Sequence, residues 1–288
     1  MGILFAFTAL ICWGVGDFLI QKSSRKFGKW VAIFFITAVG SVALLPFVYR
    51  DIADLFINRP ALAILLIAGV AMLLTALFDF QALNDGKISV VEPVMSFEIV
   101  VTALLALLLI NERLTWQQSI LVLSLIAGIV MVATESFRHW KNIKAEKGVW
   151  LALAGAICMG ATNFLVGVGS RATNPLMINW FISVFITLAC LIYLISKARV
   201  GDIAKDWRNS KLLIIGLILF DNAAWLAYSY STLYIPIAIA ISISESFIVV
   251  AALLGMIFNG EKLRRHQFIG LFLAIVSAVI LSAITPNL

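Results

Sequence analysis

Residues 236–258 read PIAIAISISESFIVVAALLGMIF, from Pro236 to Phe258. About 20 apolar residues in a helix cross the hydrocarbon core of a bilayer, and this run is long enough to do so. Its one charge, Glu245, sits near the middle. A carboxylate at that depth costs at least ~2 kcal/mol on insertion scales, so it is expected to face a cavity or a partner helix. A second run of the same kind lies in the first half of the chain. Residues 88–110, ISVVEPVMSFEIVVTALLALLLI, hold Glu98 at nearly the same depth and lead into Asn111-Glu112-Arg113-Leu114; the later run leads into Gly260-Glu261-Lys262-Leu263. The chain reads as one membrane unit written twice.

Composition supports the membrane reading. The 288 residues are 62% hydrophobic and 12% charged, whereas charged residues make up about 25% of a soluble domain. The first apolar run, Ile3 to Ile20, has neither a basic leader nor a small-residue cleavage site and reads as a retained helix. Cys12, Cys158 and Cys190 fall inside apolar runs and read as packing residues rather than as a disulfide framework or metal cluster. The basic residues lie in short connections, where anionic lipid explains them better than nucleic acid does.

Hydropathy predicts ten spans, at roughly 3–20, 30–49, 61–83, 88–110, 116–134, 148–168, 176–196, 211–233, 236–258 and 266–284. Ile11-Cys12-Trp13-Gly14-Val15-Gly16-Asp17-Phe18-Leu19 aligns with Ile157-Cys158-Met159-Gly160-Ala161-Thr162-Asn163-Phe164-Leu165 at an offset of 146 residues. Glu98 and Glu245 are offset by 147, and Glu112 and Glu261 by 149. The expected fold is an all-α integral membrane protein of ten transmembrane helices. The first five-helix repeat covers residues 1–137, a cytoplasmic linker 138–147, and the second repeat 148–288. Five spans per half make the repeats inverted.

Orientation follows from the loop cations. Of the 21 Lys and Arg residues, only Arg50, Arg59, Arg113 and Arg171 follow even-numbered spans. Cytoplasmic loops carry the excess of positive charge. The odd-numbered loops are therefore expected in the cytoplasm and both termini outside it, in the cell membrane.

The duplicated plan, Trp13-Gly14 in the first span, and the apolar runs ending in Asn-Glu-Arg-Leu and Gly-Glu-Lys-Leu resemble the EamA branch of the drug/metabolite transporter superfamily. The resemblance covers essentially the whole chain. It implies transport of small molecules by alternating access, with substrate held between the two repeats in a cavity lined by spans 1, 3, 4, 6, 8 and 9. The chain departs from the family pattern at Met159-Gly160, where Trp-Gly is expected, and at Glu98 and Glu245, where many members carry proline or a small residue. Its charge count also turns the termini outward, the reverse of familiar members.

Several residues are candidates for a substrate site. Asp221 lies near the middle of span 8, with Trp225, Tyr228 and Thr232 on the same helical stripe and Asn222 beside it. An acid, an indole and a phenol on one face suit a cation, by charge and by cation–π contact. Trp13 and Asp17 in span 1, Asp79 in span 3 and Asn163 in span 6 complete the candidates, and for Asp17, Asp79 and Asn163 a structural role competes. Glu98 is a candidate for substrate contact and, with Glu245, for proton coupling. Glu112 and Glu261, at span ends among basic residues, read as caps or loop pairs.

No span carries Lys or Arg at mid-depth, so the expected substrate is cationic, zwitterionic or neutral rather than anionic. The chain lacks a buried His, a paired-acid metal motif and a nucleotide-binding loop. It is therefore not expected to be an enzyme or to need a cofactor, and active transport would be secondary. The expected partners are a small molecule, the lipid bilayer and protons, in a monomer or homodimer. The competing class is a non-transporting membrane assembly protein whose buried acids fix helix packing.

Overall fold

In hydrocarbon no water meets a free N–H or C=O, so a crossing segment must satisfy its backbone internally. A computed structural model of the chain describes residues 1–85, 91, 94–134, 148–247, 249–250 and 263–286, and all regular structure among them is helical. The helices are α1 (Gly2–Phe27), α2 (Lys29–Val48), α3 (Ile52–Ile57), α4 (Arg59–Asp85), α5 (Glu98–Leu109), α6 (Trp116–Ala133), α7 (Val149–Ala172), α8 (Pro175–Ser196), α9 (Val200–Ser231), α10 (Ile237–Ser244) and α11 (Arg265–Ile284). Seven of these described helices are long and apolar enough to cross a membrane: α2, α4, α6, α7, α8, α9 and α11. Large apolar side chains such as Val42, Leu212 and Phe272 are 71%, 88% and 69% exposed. Lipid, not water, is the solvent that suits such a surface.

Local chemistry sets the helix starts. Asn174 accepts from the Met177 N–H at 2.8 Å, with Pro175 opening α8 behind it. Thr115 and Gln118 form a reciprocal capping box on α6. Gly28 and Gly148, at φ 86° and 89°, turn the chain into α2 and α7 in the left-handed region that suits glycine.

The helices form an antiparallel bundle with two distinguishable ends. One holds Lys29 and the turn at Arg199, whose guanidinium lies near Gly28, along with the His266 Nε2–H that donates to the Thr134 carbonyl. The other holds the α2–α3 turn, where the Asn174 amide reaches Asp51, and the ends of α6 and α11, where Gln118 contacts Thr285. Each extensive pairing joins a helix before residue 134 to one after 148: α1 with α9, α2 with α8, α4 with α7, and α6 with α11. The last pair is drawn together by facing glycines. A Cβ on Gly128 would stand 2.7 Å from the Gly270 carbonyl oxygen, a close approach that small residues permit between membrane helices.

Three features differ from the sequence expectation. Residues 200–209, which fall between the expected spans 176–196 and 211–233, continue α9 as helix, and the break falls at Ser210 (φ −145°, ψ 28°). The short helix α3 fills the second connection. The expected continuous spans 88–110 and 236–258 are both interrupted, at Ser96–Phe97 just before Glu98 and at Glu245–Ser246. Tight i to i+3 bonds mark both breaks, Phe97 N–H to Val94 (3.2 Å) and Ser246 N–H to Ile243 (3.1 Å). Ser242 and Ser246 also return their hydroxyls to the carbonyls four residues back (2.7 and 3.1 Å), a competition that bends helices.

Candidate functional site

A cavity of about 280 Å3 runs from mid-bundle to the Lys29 end. Ala32, Ile33, Ile36 and Thr37 of α2 and Met72, Thr75 and Ala76 of α4 form one side. Asn179, Ile182, Ser183 and Ile186 of α8, Met159 of α7, and Asp221, Asn222 and Trp225 of α9 form the other. Among the described residues two lining residues are ionisable, Asp221 within the bundle and Lys29 at its end. Most of the wall is apolar, with a few polar groups to orient a guest, as small-molecule pockets are.

Hydrogen bonds fix the wall. The Asn222 amide donates to the Ile36 and Ile218 carbonyls (3.1 and 2.9 Å), tying α9 to α2. Gly40 leaves room for that tie, because a Cβ there would collide with the Asn222 side-chain oxygen. The Thr187 hydroxyl donates to Thr37 (3.0 Å), and the Asn179 amide donates to the Ser229 hydroxyl and the Pro175 carbonyl (both 2.7 Å).

Beyond Trp225 the cavity stops at an aromatic layer. Trp13 meets Trp225 edge-on (5.2 Å between centroids), Tyr228 at 5.7 Å and Phe247 at 6.3 Å. Tyr228 is fully buried, and its hydroxyl donates to the Asn163 carbonyl at 2.9 Å. The Asn163 side chain is also buried, and neither of its polar atoms has a hydrogen-bond partner. The cost of an orphaned buried amide makes it one of the few unexplained polar groups in the described core.

The structure thus brings Asp221, Asn222 and Trp225 together in one cavity. It places Trp13, Tyr228 and Asn163 in the layer that closes the cavity. Glu98 opens α5 half-buried, and Glu245, 5% exposed, ends α10. Neither lines the cavity. α1 packs along α9, with Gly16 lying against Phe220 and the Asp221 backbone. α5 lies behind α7, where the Thr102 hydroxyl donates to the Gly160 carbonyl at 3.0 Å. Among the described residues the lining comes from α2, α4, α7, α8 and α9: α4, α7 and α9 are the expected spans 3, 6 and 8, α2 and α8 were not expected, and parts of spans 1, 4 and 9 lie outside the described residues. Asp17 lies on α1 and Asp79 on α4, and their side chains, like residue Glu261, fall outside the described part of the structure.

Sequence reasoning missed Lys29, Thr37, Asn179 and Ser183. Asn179 and Ser183 stand one turn apart in an otherwise apolar span, a polar stripe that was legible. Lys29 reads as a loop cation until the fold turns it toward the cavity.

Comparison with known proteins gives a consistent picture. The model of the EamA-like transporter family matches residues 1–134 and 146–283. An uncharacterized transporter of Archaeoglobus fulgidus is 23% identical over 287 residues, covering 97% of each chain. An uncharacterized protein of Methanocaldococcus jannaschii is 25% identical over 133 residues, which are 95% of that protein and 46% of this chain. A crystal structure of a protein at 15% identity superposes with a TM-score of 0.75 over 97% of this chain and 94% of that one, a likeness of fold.

Proposed function

The chain belongs to the EamA-like transporter family, and from that premise we propose that it carries a small cationic, zwitterionic or neutral metabolite across the cell membrane by alternating access. The observation that carries the reading is the cavity itself. It is reached from one end, blocked at the other by the Trp13–Trp225–Tyr228 layer, and holds Asp221 where the bilayer midplane would lie. An anion there would meet a carboxylate in a medium that screens poorly, whereas a cationic or zwitterionic guest gains a partner and an indole face. At about 280 Å3 the cavity falls just below the ~300 Å3 where ligand pockets commonly begin, which favours a metabolite over a bulky drug.

The architecture behind this reading is ten spans in two inverted five-helix repeats, 1–137 and 148–288, joined by a cytoplasmic linker. Support comes from the two stretches that the family model matches and from the cross-packing of helices. The pairs α1 with α9 and α4 with α7 exchange under the repeat, and α2 with α8 and α6 with α11 map onto themselves. The charge bias puts the Lys29 end in the cytoplasm, so the cavity faces inward.

Asp221 is the substrate contact and Glu245 the coupling residue, with Glu98 its counterpart. Glu245 lies at the break that ends α10, where gain or loss of a proton can bias the helix between two arrangements without touching substrate. Substrate-dependent flux in liposomes containing only this protein tests the reading. Candidate amines, amino acids and neutral metabolites should move and Asp221→Asn should reduce their movement. Absence of flux for all of them would leave the buried acids a packing role.

A further inference from the structure

At the end opposite Lys29 a compact polar cluster joins parts of the chain that lie far apart in sequence. Arg171 stands in the last turn of α7. Its Nε–H donates to the Thr232 carbonyl at 2.7 Å, and its Nη2 donates to the Ile235 carbonyl at 3.1 Å and to Glu112 at 3.0 Å. The other Glu112 oxygen accepts from the Ala238 N–H at 3.2 Å, in the first turn of α10. Asn111, at φ 53°, bends the chain after α5, and the Glu112 N–H returns to the Ala106 carbonyl at 3.1 Å. Asn tolerates that left-handed conformation better than most residues, so the turn that aims Glu112 is built into the sequence.

Each charge sits on the helix end that suits it. The guanidinium meets carbonyls at and beyond the C-terminus of α9, and the carboxylate meets the N-terminus of α10. The two charges then neutralise each other. Glu112 comes from the first half of the chain and its partners from the second, so the cluster spans both halves.

Its position gives it a consequence for gating. Along α7, Arg171 lies twelve residues from Met159 of the cavity wall, about 18 Å of helix. The aromatic layer lies between. The side chains of Arg171 and Glu112 are 29% and 10% exposed. A pair at the rim can exchange its partner for water at a modest cost that a wholly buried pair cannot match. Apolar contacts around it, such as Gly169 against Ile178 and Leu65, define the closed packing.

We propose that Arg171 and Glu112 form a latch that holds this end shut while the cavity is open at the Lys29 end, and that the latch parts when the bundle opens the other way. The proposal rests on the transporter reading above, but its test needs no substrate. Two thiols are introduced separately into the full chain in lipid nanodiscs, by Thr37→Cys in the cavity wall and by Ser229→Cys in the buried layer on the latch side. Their reaction with a polar maleimide is followed by peptide mass spectrometry, with Cys12, Cys158 and Cys190 as internal controls.

With the latch intact the Thr37→Cys thiol reacts readily and the Ser229→Cys thiol reacts slowly. In Glu112→Gln and in Arg171→Gln the first rate should fall and the second rise together, by about tenfold each if the populations move from about 10:1 to about 1:10. Arg171→Lys keeps the charge but loses the forked reach to three partners. It should show the same reciprocal change at smaller amplitude, which covers the case in which a Gln variant fails to fold. A rise at Ser229→Cys with no fall at Thr37→Cys would make the cluster a static clamp and overturn the proposal. A reciprocal change without flux would retain the latch and reject the substrate assignment; flux without a reciprocal change would reject the latch alone.

Discussion

The two ends of this bundle solve the same problem in opposite ways. At the Lys29 end, α2, α8 and α9 satisfy their polar groups with near neighbours, as Asn222 does with Ile36 and Ile218 and Thr187 with Thr37. Those bonds fasten helices at their edges and leave a cavity between them. At the Arg171 end the bonds cross the middle: Arg171 to Thr232, Ile235 and Glu112, and Tyr228 to Asn163. A bond along an edge shapes a wall, and a bond through the centre closes a passage. The difference teaches that, among the described residues, the polar bonds run along the wall at one end and join α7 to Glu112 and to the α9–α10 connection at the other.

All-or-none labelling tests the assignment of ends most sharply. Cysteines placed at Lys26 and Lys205 should react in intact cells only with membrane-permeant reagents, and one at Asp54 with impermeant reagents as well. The reverse pattern would turn the molecule over in the membrane and make the cavity face outward. Next in size is Glu245→Gln, which mimics the protonated acid. Gradient-driven flux in proteoliposomes should be lost while equilibrium substrate binding survives; unchanged flux would return Glu245 to packing.

A graded effect is expected at Asp221. Asp221→Asn should weaken substrate binding by ~1–3 kcal/mol, the cost of removing a charged hydrogen-bond partner, or roughly 5- to 150-fold in Kd. Calorimetric titration measures it, and equal losses in Glu245→Gln and Asp221→Asn would end the division of roles between the two acids. Smallest is Tyr228→Phe at the closed end. Interhelical hydrogen bonds in membranes average ~0.6 kcal/mol and reach ~1.7, so the variant should melt only a few degrees lower. Its Ser229→Cys derivative should label faster if the aromatic layer is part of the closed end, and a large drop in melting temperature with no change in labelling would make Tyr228 a purely structural anchor.

Membrane residence and the helical class were legible in the residues. Hydrophobic length and the scarcity of charge dictate helices in lipid whatever their neighbours do. The stripe Asp221–Trp225–Tyr228 was legible too, because 3.6-residue periodicity puts those side chains on one face. Periodicity does not say what lies opposite a face. Trp225 meets the cavity, whereas Tyr228, less than one turn on, meets Trp13 and the Asn163 carbonyl.

The interruptions at Ser96–Phe97 and Glu245–Ser246 were hidden for a related reason. Hydropathy counts apolar side chains and is blind to a backbone that leaves the helix within them. The sequence by itself determined that this chain lives in a bilayer, that its halves echo each other, and that its buried acids need an explanation, because burial cost and helix periodicity are local properties. Only the tertiary structure decided that α2 and α8 contribute to the cavity wall, that Lys29 belongs to it, and that Arg171 reaches Glu112. Those outcomes depend on which helices meet across the bundle, and close packing at Gly16, Gly40 and Gly128 settles that in three dimensions.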